Sequence, residues 1–177
     1  MTQTRPLLAA LAVGGLVLSL AACGGDMLTA PHAPSQPVLD RAVSATSSDL
    51  LACPASTSQS ATAVIGPRGG TLSVGRFAIR IPEHAVAQPT TFVFDVPASP
   101  YLEVDIHAAG IAHYEFARRA TVTLDYSRCG ADLSGEFDAW YIDDSGTKLH
   151  RMHGHSEPGR QLFVFKTDHL SRYAIAD

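Results

Sequence analysis

An all-β fold, an antiparallel β-sandwich, is what residues 53–177 predict, on three observations. Apolar and polar residues alternate in short runs, and β-branched and aromatic residues fill those runs. Gly, Pro and Asp separate one run from the next. No helix longer than a turn or two is needed to account for the pattern.

The elements follow in order. Runs from Ala61 to Ile65 and from Thr71 to Val74 flank Gly66-Pro67-Arg68-Gly69-Gly70, which supplies the fixed and positive φ angles of a chain reversal. From Phe77 to Ile81, the apolar Phe77, Ile79 and Ile81 fall on one face, with Ala78 and Arg80 on the other. Strands are then predicted from Thr90 to Val96, Leu102 to Ala108 and His113 to Phe116. From Ala120 to Tyr126, Val122, Leu124 and Tyr126 alternate with Thr121, Thr123 and Asp125, as expected where one face is buried and one wet. The run from Ala139 to Ile142 puts Trp140 and Tyr141 on opposite faces, so one of them is expected to fill the core. Asp143-Asp144-Ser145-Gly146 reads as a hairpin connection to a strand from Lys148 to Met152. Runs from Gln161 to Thr167 and Tyr173 to Ala176 complete the set.

Upstream the texture differs. From Gly24 to about Leu51 the chain is rich in Ala, Pro, Ser, Thr and Asp, without sustained period, which predicts a flexible tether; its end, Asp40 to Leu51, has weak helical spacing. Before it stand Arg5, an apolar run from Leu7 to Leu20, and the small residues Ala21 and Ala22, the three-part plan of a secretory signal. The run is short for a membrane-spanning helix and contains Gly14 and Gly15. Leu20-Ala21-Ala22-Cys23 resembles the bacterial lipobox. That resemblance implies a signal peptide over 1–22, cut before Cys23, and a lipidated Cys23 heading a linker over 23–52. It implies anchoring to a membrane by acyl chains such as palmitate, each buried CH₂ contributing about 0.8 kcal/mol. Gly24, where Asp causes inner-membrane retention of enteric lipoproteins, favours the outer membrane.

The chain carries a net charge of −4; once Arg5 leaves with the signal, 12 of the 13 Lys and Arg face 17 Asp and Glu, a balance of −5. This argues against nucleic acid as a partner, and no basic stripe with interleaved aromatics is present. With Cys23 assigned to lipid, Cys53 and Cys129 remain in an oxidising space, where one intramolecular disulfide is expected; two free thiols are the alternative.

Gly69-Gly70-Thr71-Leu72-Ser73-Val74, followed by Phe77-Ala78-Ile79-Arg80-Ile81-Pro82-Glu83-His84-Ala85-Val86, resembles the opening of the ZU-five domain of zona-occludens scaffold proteins, netrin receptors and ankyrins. Glu83-His84 stands where that family usually has Pro-Gly. His169-Leu170-Ser171-Arg172-Tyr173-Ala174-Ile175-Ala176 is similar to the closing strand of bacterial ZU-five-like lipoproteins. The resemblance spans roughly Ile65 to Asp177. It implies a non-catalytic binding or scaffold module for an envelope or extracellular protein, with no cofactor.

Two constellations offer other chemistry. Some related domains cut themselves at a His-Leu-Ser tripeptide; by transfer His169 would be the base, Ser171 the nucleophile and Leu170-Ser171 the bond. The plainer reading is that His169 ends a turn and Ser171 begins the last strand. His150, His153 and His155 lie close enough in sequence to suggest a zinc or copper site, against the plainer reading of a solvated hairpin tip. No Gly-rich phosphate loop leads from a strand into a helix.

Overall fold

The computed structural model describes residues 49–130 and 137–176. Cys23, the expected signal peptide and most of the expected linker lie outside them. The described chain is all β: β1 (Gln59–Ile65), β2 (Gly70–Val74), β3 (Phe77–Ile81), β4 (Thr90–Val96), β5 (Glu103–Ala108), β6 (Glu115–Asp125), β7 (Asp138–Ile142), β8 (Lys148–Arg151), β9 (Gly154–Glu157), β10 (Leu162–His169) and β11 (Arg172–Ala176). Helix is confined to short 3₁₀ turns such as Ser127–Cys129 and Pro158–Arg160. None of the helical segments described is long and apolar enough to cross a membrane.

The strands form two antiparallel sheets, ordered β1-β4-β5-β11-β7-β8 and β2-β3-β6-β10-β9, an arrangement consistent with a β-sandwich. The alternation read from sequence sets which side chains meet between them. Phe77, Ile79, Ile81, Val122, Leu124, Phe163 and Phe165 of the second sheet share one buried cluster with Phe92, Phe94, Ile106, Tyr173 and Ile175 of the first. Thr167 is a polar residue buried between the sheets: its hydroxyl lies 2.9 Å from the Tyr173 hydroxyl, and both donate to the His169 carbonyl, at 2.8 and 2.6 Å. Burial pushes the Tyr173 phenol far above its ordinary range, so it stays a neutral donor.

Two turns need their special residues. Gly69 has φ +69°, and a Cβ there would sit 2.5 Å from the Ile81 carbonyl oxygen. His84 adopts φ +62° and donates its N–H to the Pro67 carbonyl at 2.8 Å, so the corner after Pro82 closes in the left-handed conformation without glycine. In the β7–β8 hairpin, Asp143 accepts from the N–H groups of Ser145 and Thr147, both at 2.9 Å. The Ser145 hydroxyl and those amides hold its carboxyl below the usual range.

The described residues ahead of β1, from Asp49, belong to the body. The Leu51 N–H donates to Ile175, the Leu102 N–H to Leu51, and the Cys53 N–H to Pro100. Leu51 faces the main core; Leu50 covers a second, smaller cluster with Ile142, Ala174, Ala176, Tyr101 and Trp140. Cys53 and Cys129 form a disulfide across a sequence separation of 76, tying this leading segment to the end of β6.

Three sequence expectations require correction. The predicted strands at His113 to Phe116 and Ala120 to Tyr126 are one strand, β6, whose exposed Ala117, Arg118 and Arg119 interrupt the alternation but not the element. β9 was not predicted; Gly154-His155-Ser156-Glu157 has little β propensity and becomes a strand by pairing with β10. Neither Trp140 nor Tyr141 fills the core: both are half-buried, Trp140 under Leu50 and Tyr141 at the margin of the main cluster.

Candidate functional site: a histidine-rich groove

The segment expected to be a hairpin tip instead carries the chain from one sheet to the other. β8 is an edge strand of the first sheet and β9 an edge strand of the second. Between them the Met152 N–H donates to the Ala139 carbonyl at 2.8 Å, and the Gly154 N–H to the Asp138 carboxylate at 3.1 Å. Asp138 is buried and also takes the guanidinium of the half-exposed Arg151, which stabilises a carboxylate that would be costly unpaired. His153 sits at the crossing with φ +46°. Gly154 has no space for a side chain: a Cβ there would fall 2.3 Å from the Phe163 ring.

This crossing, with β6 and β10, encloses a groove of about 600 Å³. His150, His153, His155 and His169 line it, together with Arg119, Arg151, Lys166 and Asp168. The apolar contributions are Met152, Val164 and Phe165. A second hollow of about 560 Å³ adjoins it, lined by His113, Glu115, Tyr141, Leu170 and Ser171 and sharing His150, Asp168 and His169.

All three histidines of the 150–155 run thus border one space. Among the described residues, however, no group of three or more His, Cys, Asp or Glu side chains is placed to hold a metal ion. Strand pairing sends these histidines to different positions along the groove: β8 pairs His150 with Tyr141, and β9 pairs His155 with Val164.

His169 and Ser171 border the second hollow. Nδ1 of His169 lies 3.0 Å from the Asp168 carboxylate, and its ring packs edge-on against Tyr141 at 5.3 Å. The bond from His169, helped by the nearby His169 and Arg119 charges, holds the Asp168 carboxyl below its usual range. The backbone around Leu170-Ser171 is tied into the fold, with the Leu170 N–H on Tyr114 and the Ser171 carbonyl accepting from Ile106, both at 3.0 Å. No residue from 169 to 171 is left-handed. Backbone strain of the kind that drives an acyl shift is therefore not visible at this bond.

Sequence reasoning did not single out Arg119 or Lys166. Lys166 could have been placed outward by alternation, since Phe165 and Thr167 are its buried neighbours. Arg119 lies in the stretch where alternation fails, opposite the irregularity between Thr167 and His169 in the β6–β10 pairing, and only the fold brings it to the groove.

No known family model and no curated protein matches the chain.

Proposed function

We propose that the chain is a bacterial envelope lipoprotein, cut before Cys23 and held by lipid on that residue, with the outer membrane favoured. Its all-β body is a ZU-five-like sandwich that binds an envelope or extracellular protein and catalyses no reaction. The observation that carries the reading is the Cys53–Cys129 disulfide, because such bonds persist in oxidising compartments and the leader of Arg5, Leu7 to Leu20 and Cys23 is the type that sends a chain there. The left-handed His84 supports the family resemblance, since it occupies the corner where that family carries glycine. The hollow lined by His113, Glu115, Tyr141 and Ser171 supplies a concave surface for a partner.

Metabolic labelling with radioactive palmitate tests the anchor. The native chain is expected to take up label and fractionate with membranes, and Cys23→Ser to do neither. An unlabelled native chain that fractionates with cytoplasmic contents overturns the proposal. Intact mass of the purified protein tests the absence of self-processing: a product ending at Leu170 would put His169 and Ser171 in the roles of base and nucleophile.

A further inference from the structure

The outer face of the second sheet aligns its charges by register. Thr71 pairs with Arg80, Arg80 with Thr121, and Thr121 with Lys166. Residues directly opposite in a sheet share a face, so two cations and two hydroxyls form a row without an intervening carboxylate. Lys166 ends that row inside the groove, where Arg119 also lies. Neither forms a salt bridge or side-chain hydrogen bond with another described residue. Asp168 is the one acidic side chain lining this groove, and it is engaged by His169. A protein of net charge −4 thus places Arg119 and Lys166 in one hollow against a single lining carboxylate, Asp168, which already takes the His169 bond and feels the Arg119 charge.

Two cations lining one hollow raise its potential, and an oxyanion seated there gains charge-assisted hydrogen bonds. At the crossing His153 adopts φ +46°, and Gly154 lies too close to the Phe163 ring for a side chain. A volume of about 600 Å³ is that of a small-ligand site.

We propose that this groove binds the phosphate or carboxylate groups of a small anionic ligand. The Arg119 guanidinium and the Lys166 ammonium hold the oxyanion, one as a planar fork and the other as a point charge. His153 and His155 line the β8–β9 side as further donors, with Glu157 3.9 Å from His155. Met152 and Val164 provide the apolar surface for the rest of the ligand. The site does not depend on how the chain is anchored or on a protein partner.

Isothermal titration of the purified full-length chain in detergent, with pyrophosphate and separately with citrate, tests this. Saturable heat with either probe is expected; pyrophosphate alone marks phosphate as the preferred group, and citrate alone marks carboxylate. Arg119→Ala and Lys166→Ala are each expected to weaken binding about tenfold, the loss of one charge-assisted bond. Arg68→Ala, outside the groove, should leave binding unchanged. NMR of the unaltered chain provides a second reading, with shifts expected at His153, Gly154 and His155. The proposal is overturned by no saturable heat with either probe, by undiminished binding in the Arg119→Ala, Lys166→Ala double variant, or by NMR shifts confined to residues outside the groove.

Discussion

On the outer face of the first sheet the charges find partners within the chain, whereas on the second sheet several do not. Arg172 lies 2.9 Å from Glu103, Lys148 lies 3.3 Å from Asp49, and His107 stands 3.7 Å from Asp105 and 3.9 Å from Asp95. The first face also carries the small apolar cluster under Leu50, and Lys148 sits over the Trp140 ring at 4.9 Å. On the second face Arg76 is taken by Asp125, but Arg80, Arg119 and Lys166 have no salt-bridge partner among the described residues. Charges named on the first face therefore serve the fold, whereas Arg80, Arg119 and Lys166 on the second are available to something outside it. The leading segment contributes to the difference, with Asp49 pairing to Lys148 and Leu50 covering the small cluster of the first sheet.

The largest expected effect concerns the staple that fixes that segment. Replacing Cys53 and Cys129 together by Ser should lower stability by about 4 kcal/mol, since the bond closes a loop of 76 residues in the unfolded chain. Urea unfolding reads the loss, and one below about 1 kcal/mol would mean that the cover stays in place unaided. Leu50→Ala comes next, at about 2 to 3 kcal/mol for a buried leucine, with Trp140 emission shifting to the red as its cover thins. Unchanged Trp140 emission would separate the cover from the cluster.

The comparison itself is sharpest in a pair of variants. Arg172→Ala should cost about 2 kcal/mol, because it leaves the buried Glu103 carboxylate without its guanidinium. Lys166→Ala should stay within about 0.5 kcal/mol, being exposed and unpaired. Equal losses in thermal or urea unfolding would erase the distinction between the faces. The smallest effect is electrostatic. Asp168 titrates below its ordinary value of 3.8, so its contribution is present above that pH and fades as pH falls through the lower folded value. His169→Phe should move the Asp168 carboxyl titration upward toward 3.8, followed by carbon NMR.

Some of the candidate site was legible beforehand. The histidines at 150, 153 and 155 stood out as a cluster in the sequence, and they do border one groove. Their setting was not legible, because Met152 and His153 leave one sheet for the other at a point marked by nothing more than a glycine two residues after Met152. Arg119 and Lys166 are separated by 46 intervening residues and by the whole of β7, β8 and β9, and neither carries a local signal of the other.

What the sequence by itself determined is the β character of the body, the buried faces from Phe77 to Ile81 and from Ala120 to Tyr126, the turns at Gly69 and Asp143, and the pairing expected of Cys53 with Cys129. These follow from period-two alternation and turn chemistry, which act over a few residues. Tertiary structure alone decided that β9 exists, that β6 runs unbroken, that Leu50 covers a cluster on the first sheet, and that Arg119, Lys166 and the histidines line one groove. Each of those depends on which distant segments pair, and the entropy of closing a loop varies too slowly with its length to mark one partner over another. Register then follows from the packed core, which exists only once all the strands are in place.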